Sequence, residues 1–304
     1  LISFFSSTRL TTWLLVAFLL FFVADWCWPA FPRWLYLLPA AFFYANLLSC
    51  LVIRLILLKK NLVGKVGLVA FHLGLGVAMA GGLVTAFYRF EGGLEVVEGQ
   101  IFSDQAESYL YRTYGPLWRP FFTDEAFFLK EIRVARDGEG NITAFDCLVA
   151  RTPGAEVFHR LAANHPLSLS KGQIFLSQHF GTALGFKAVR DDGAMNSGMV
   201  NFAPQQHKQT FTAPGLPYTL QVELGDKSRQ EILLAGFPGH FTGKQALTPG
   251  QGVRIGDITL IYGKKTHWAG LMVVRDPGKP WIYAGFLLFS LGLLLYYSEK
   301  FTRQ

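Results

Sequence analysis

Four long apolar runs and one long stretch of short alternating runs divide the chain. The apolar runs are residues 11–28 (TTWLLVAFLLFFVADWCW), 34–57 (WLYLLPAAFFYANLLSCLVIRLIL), 66–87 (VGLVAFHLGLGVAMAGGLVTAF) and 279–298. At about 1.5 Å per helical residue, each is long enough for the roughly 30 Å core of a bilayer. Pro39 stands near the start of the second run, where it can kink the helix. The third run has no formal charge and a single histidine, His72. Residues 11–24 have the length of a signal-peptide core, but no small-x-small site follows and more spans come after, so they read as a span.

Between the third and fourth runs the period changes. Short alternating segments recur at 94–99, 126–137, 143–150, 174–180, 186–191, 218–224, 258–263 and 271–276. Turn signals separate them: Asp137-Gly138, Asn141, Pro153-Gly154, Asp192-Gly193, Pro214-Gly215, Pro238-Gly239 and Pro249-Gly250. Period-two alternation bounded by such turns predicts strands. Only 155–163 reads weakly as a helix. The stretch is long enough to build a core of its own.

Composition supports a membrane class: 51% of residues are hydrophobic and 15% aromatic, with 28 Phe. The net charge of +7 would suggest a polyanion partner if it were spread over the chain. It is not. Residues 88–278 hold 19 Lys/Arg and 19 Asp/Glu, whereas the rest hold 9 and 2. The excess flanks the apolar runs, which is the positive-inside pattern and argues against nucleic-acid binding. Arg9, Arg54, Lys59, Lys60, Lys65, Lys300 and Arg303 mark cytoplasmic ends, with Arg54 able to snorkel to headgroups. Asp25, Trp26 and Trp28 mark the opposite interface. The expectation is a cytoplasmic-membrane protein of four transmembrane helices, with a large β-rich extracytoplasmic domain inserted between helices 3 and 4. It divides into 1–87, 88–278 and 279–304, with both termini cytoplasmic.

Motifs for nucleotide binding, serine hydrolysis or zinc proteolysis are missing: there is no Walker loop, GxGxxG, GxSxG or HExxH. Cys27, Cys50 and Cys147 form no CxxC pair, so any thiol chemistry would draw its thiols from a partner. His159, His165, His179, His207, His240 and His267 show no metal-ligand spacing and read as surface or packed residues. His72 is different. An ionisable side chain inside a span is costly and faces a bundle or cavity, and a neutral imidazole is a good iron ligand. It lies about 10 Å along the helix from Lys65. From the residues alone it is an iron ligand, a proton relay or a packed imidazole. Gly74 and Gly76 near it serve either ordinary helix packing or clearance for a flat ligand. Asn164-His165-Pro166-Leu167 reads as an extended lead-in to a strand, because the residue before proline is restricted, or as a ligand contact. Arg275-Asp276-Pro277-Gly278 reads as a hinge whose charges satisfy each other or the interface.

Four segments carry a resemblance to a known family. They are FFSSTRLTTWLLVAFLL at the start and the histidine-bearing third run followed by Phe90-Glu91-Gly92 and Glu98-Gly99. With them stand NHPLSLSKGQIFLSQHFG (164–181) and LMVVRDPGKPWIYAGFLLFSLGLLL (271–295). In this order they resemble the ResB family, also called CcsB, of system II cytochrome c biogenesis. The resemblance implies pairing with a CcsA-like haem-handling membrane protein. The pair would export haem and support its attachment to CxxCH sites of apocytochrome c, with a thioredoxin-like thiol reductant as a further partner. The implied cofactor is haem b, carried and shared with the partner, with His72 as one axial ligand. Gly74 and Gly76 would ease crowding beside it. Arg89, past the end of the third run, would attract a propionate or simply end the helix. The seven Trp are scattered and form no tryptophan-rich haem segment, so this chain would be an accessory subunit of the synthase complex. The competing expectation is a structural or assembly subunit of a respiratory membrane complex, without its own haem ligand.

Overall fold

The computed structural model describes residues 7–28, 32–57, 62–123, 125–138, 142–212, 219–225, 231–236 and 244–302. Several features expected from sequence lie outside the described residues: Lys59 and Lys60, Asn141, the Pro214-Gly215 and Pro238-Gly239 turns, His240 and Arg303. The chain divides into two compact units. One comprises Leu1–Glu91, Thr113–Phe121 and Arg275–Gln304; the other comprises Gly92–Arg112 and Phe122–Val274.

Among the described residues the first unit holds four long helices: α1 (Thr8–Cys27), α2 (Leu37–Leu57, after a 3-10 turn at Arg33–Tyr36), α3 (Leu62–Tyr88) and α4 (Lys279–Thr302). All four are long and apolar enough to cross a membrane. Their exposed surface is largely Leu, Phe, Val and Trp, with Trp26 82% exposed, as expected of side chains that face lipid. Helix α3 starts at Leu62, ahead of its apolar run, so Lys65 lies on the helix. Pro39 sits in the first turn of α2, directly after the 3-10 turn at Arg33–Tyr36. Asp25 pairs with Arg33 at 3.3 Å.

Helices α3 and α4 are joined by glycine. Gly67, Gly74 and Gly81 repeat every seventh residue, as do Gly278, Gly285 and Gly292. Seven residues are close to two turns, so each set lines one face. The sets mesh antiparallel, Gly67 against Gly292, Gly74 against Gly285 and Gly81 against Gly278. A Cβ on Gly81 would lie 2.7 Å from the Ile282 backbone nitrogen, and one on any of the others would also overlap backbone of the facing helix. Only glycine permits this approach.

Residues around the helix ends complete the unit. Thr113–Phe121, expected in the external domain, packs with the helices: Gly115 N–H donates to Arg89 O at 2.8 Å and Leu117 N–H to Phe87 O at 2.9 Å. The Trp118 and Phe90 rings stack at 4.7 Å. Arg275 and Asp276 do not satisfy each other. Arg275 donates to Phe121 O at 2.8 Å and lies over the Phe90 ring. Asp276 accepts from Thr85 Oγ1 at 2.7 Å and from Gly278 N–H at 3.0 Å, which holds the start of α4 to α3.

The second unit is β-rich. Its strands, with those that lead into it, are β1 (Phe90–Val97), β2 (Ile101–Ser103), β3 (Tyr111–Tyr114), β4 (Ala126–Arg136), β5 (Ile142–Ala150), β6 (His159–Ala162) and β7 (Leu167–Leu169). There follow β8 (Gly172–Arg190), β9 (Met195–Phe202), β10 (Lys208–Phe211), β11 (Leu220–Leu224), β12 (Ile232–Gly236), β13 (Lys244–Leu247), β14 (Gly252–Ile255) and β15 (Ile258–Arg275). A seven-stranded sheet runs β3-β1-β15-β8-β7, with β14 and β9 pairing β15 and β8; two four-stranded sheets run β10-β11-β12-β13 and β2-β4-β5-β6. Leu184, Phe186, Phe202, Leu220, Leu234 and Tyr262 belong to its main core cluster.

Three local expectations change. The segments 174–180 and 186–191 are one strand, β8, and 258–263 and 271–276 merge into β15. Register shifts at Tyr262/Lys265 and Ala269/Leu271 interrupt the alternation without ending the pairing. The 155–163 helix is absent: its second half is β6, which pairs β5 and buries Leu161. The segment before Pro166 is a tight turn, with Asn164 at φ 63 and Ala162 paired to His165. Asn tolerates that left-handed geometry.

Glu98 ties β1 to two other strands. Its carboxylate accepts from Ile132 N–H at 2.7 Å, Thr266 Oγ1 at 2.7 Å and His267 N–H at 3.2 Å, with His267 Nδ1 at 3.4 Å. Burial alone would raise its pKa, but these donors outweigh it and hold the value at about 2.

Candidate functional site

His72 lies in the third turn of α3 and is 5% exposed. Its Nδ1 is 2.8 Å from Leu68 O, one turn back. A carbonyl oxygen only accepts, so Nδ1 carries a proton, and in the neutral ring Nε2 keeps its lone pair. The Phe71 ring meets the imidazole edge-on at 4.9 Å.

His72 lines a cavity of about 300 Å³ that all four helices build. Helix α3 contributes Leu68, Phe71, His72 and Leu75; α2 contributes Phe43, Asn46, Leu47, Cys50 and Arg54; α1 adds Thr11 and α4 adds Leu293, Tyr296 and Tyr297. The lining is mostly apolar, with Thr11, Asn46 and Arg54 among its polar side chains, and Arg54 lies in the last turn of α2. Asn46 is buried and bridges helices: it accepts from Thr11 Oγ1 at 2.8 Å and donates to Ser7 O at 3.3 Å. A flat amphiphile with a metal centre fits this set: one imidazole nitrogen with a lone pair, aromatic and aliphatic walls, and one cation.

The expected companions of His72 are placed differently. Gly74 does not open space beside the imidazole; its missing side chain is filled by the backbone of Phe289 and Gly285. Gly76 faces α2, where Tyr44 OH donates to its carbonyl at 2.7 Å. Arg89 is outside the His72 cavity. It pairs with Glu91 at 2.9 Å and lines a second cavity of about 440 Å³, with Asp25, Arg33, Met79 and Gly82. The residues missed from sequence are Asn46, Cys50 and Arg54. Their signal was present: they recur every fourth position of an apolar run, which puts them on one helical stripe.

The β-rich unit has a third cavity of about 370 Å³, lined by His159, Arg151, Arg160 and Glu125 among others. Arg160 pairs with Asp146 at 2.8 Å and Arg151 approaches Glu125 at 3.6 Å. His165 is exposed. Among the described residues no three His, Cys, Asp or Glu side chains gather as a metal site.

No curated protein matches the chain. Among solved structures, cytochrome c haem lyase CcmF is similar at a TM-score of 0.32 and 12% identity, over 84% of this chain. The chain spans 29% of that protein's length, and the likeness is too slight to establish a shared fold. The model of the ResB-like family matches residues 52–232, more than half of the chain, from the Arg54 turn of α2 through His72 to the start of β12, and the chain belongs to that ResB-like family.

Proposed function

We propose that this protein is a membrane subunit of cytochrome c biogenesis that holds haem inside the bilayer through His72. A CcsA-like partner supplies the second axial ligand, and the pair exports haem and presents it to CxxCH sites of apocytochrome c. The helices cross the cytoplasmic membrane with the basic ends inside and the β-rich region outside.

The observation that carries the reading is the imidazole itself. Iron ligation requires a neutral ring with an available nitrogen, and the Leu68 carbonyl selects the tautomer that leaves Nε2 available. The same hydrogen bond orients the ring and raises its basicity, as the outer partner of a ligating histidine does. The ring is buried among the helices, and one imidazole from each of two proteins is a ligation that can be reversed on delivery.

The test is an optical spectrum of the co-purified pair, wild type against His72→Ala. The expected result is loss or weakening of the bound haem in the variant, with partner binding intact and partial recovery on adding imidazole. Equal haem content with an unchanged axial-ligand signature would instead favour an assembly subunit with a packed histidine.

A further inference from the structure

We infer that Arg54 is the carboxylate-binding residue of the His72 cavity, so that a porphyrin held there points its propionates toward Arg54. The inference rests on the haem reading of His72, but its chemistry is independent of iron.

Three observations lead to it. Arg54 lines the same cavity as His72, on the α2 stripe that also carries Asn46 and Cys50. Among the described residues it has no ion-pair partner, unlike Arg33 and Arg89, which are paired to Asp25 and Glu91. It also lies in the last turn of α2, and the same cavity is lined by Phe43, Leu47, Leu75, Tyr296 and Tyr297. The cavity therefore combines one imidazole, mostly apolar walls and one guanidinium. Arg54 is exposed, so a ligand carboxylate in the cavity can reach its guanidinium. Arginine binds a carboxylate through two parallel N–H donors, which fixes direction as well as strength. A porphyrin dicarboxylate is the ligand class that uses the apolar walls and the guanidinium at once.

The experiment uses metal-free protoporphyrin IX and its dimethyl ester as probes, with the full chain and its co-purified partner in detergent and binding followed by porphyrin fluorescence. Loss of one charge-assisted hydrogen-bonded contact is expected to weaken diacid binding in Arg54→Gln by roughly 10- to 100-fold. The ester should bind wild type and variant alike, and Arg54→Lys should recover part of the loss. Helical circular dichroism matching the wild type establishes that Arg54→Gln is folded. Equal diacid affinity in wild type and Arg54→Gln would overturn the inference and return Arg54 to lipid headgroups. So would equal loss of diacid and ester. The iron reading is scored separately: if His72→Ala leaves the haem spectrum unchanged while Arg54→Gln still discriminates diacid from ester, the axial ligand is wrong and the carboxylate site stands.

Discussion

Replacing Glu98 with glutamine removes one charge and keeps the shape. Three donors, Ile132 N–H, Thr266 Oγ1 and His267 N–H, converge on this carboxylate from β4 and β15, with His267 Nδ1 close by, and the glutamine amide turns an NH2 toward one side of them. The carboxyl is held at about 2 against an ordinary 4.5. That difference corresponds to about 3 kcal/mol before screening. The side chain is 19% exposed, and solvent contact reduces the figure to about 2 kcal/mol. The folded value lies below the unfolded one, so the contribution is complete above about pH 4.5 and disappears as the pH falls to about 2. Hydrogen exchange at Ile132 N–H reads this directly, because that amide donates to Glu98. At pH 7 the Glu98→Gln protein should exchange there roughly 30-fold faster, the equivalent of ~2 kcal/mol. Wild-type protection, corrected for intrinsic rates, should fall toward that of the variant as Glu98 protonates. Equal protection at pH 7, or the same acid dependence in both proteins, would refute the reasoning.

Four further outcomes follow from packing, thiol reactivity and orientation. Gly285→Leu places a side chain against the Ala78 backbone and should cost about 1–3 kcal/mol as overpacking, read as a lower melting temperature in detergent, whereas Gly82→Ala, with nothing nearby, should leave it unchanged. Burial, with Asp146 and Glu98 close by, pushes the Cys147 thiol up to about 12, so a maleimide should label exposed Cys27 and spare Cys147 in the native protein. Replacing all three cysteines with serine or alanine should leave haem content intact, and a cysteine then placed at exposed Asp192 should react in closed vesicles only from the extracytoplasmic side; cytoplasmic labelling would overturn the orientation.

Much of the architecture was legible because it rests on local quantities. Run length and apolarity place the four long helices to within a few residues, since a bilayer demands about 20 apolar positions whatever packs beside them. His72 stood out for the same reason: a lone imidazole in 22 apolar residues is visible in one dimension. The long strands β8 and β15 were split because bulges break the alternation that marks a strand, and the short edge strands carry too few positions to show a period. The function of Glu98 was invisible, since its donors come from residues 34 and 169 positions away.

The glycines show where sequence stops. Spacing by seven in two runs implies two smooth faces, yet only the folded pair decides that these faces meet each other and not a ligand. Gly74, two residues from His72, belongs to that seam because successive helical residues point about 100° apart. Composition and hydropathy by themselves determined four runs long and apolar enough to span a membrane, a β-rich insert and one imidazole within the third run. Only the tertiary structure decided which side chains share a cavity with that imidazole, because a cavity is made by residues from four helices whose separation along the chain carries no record of their approach.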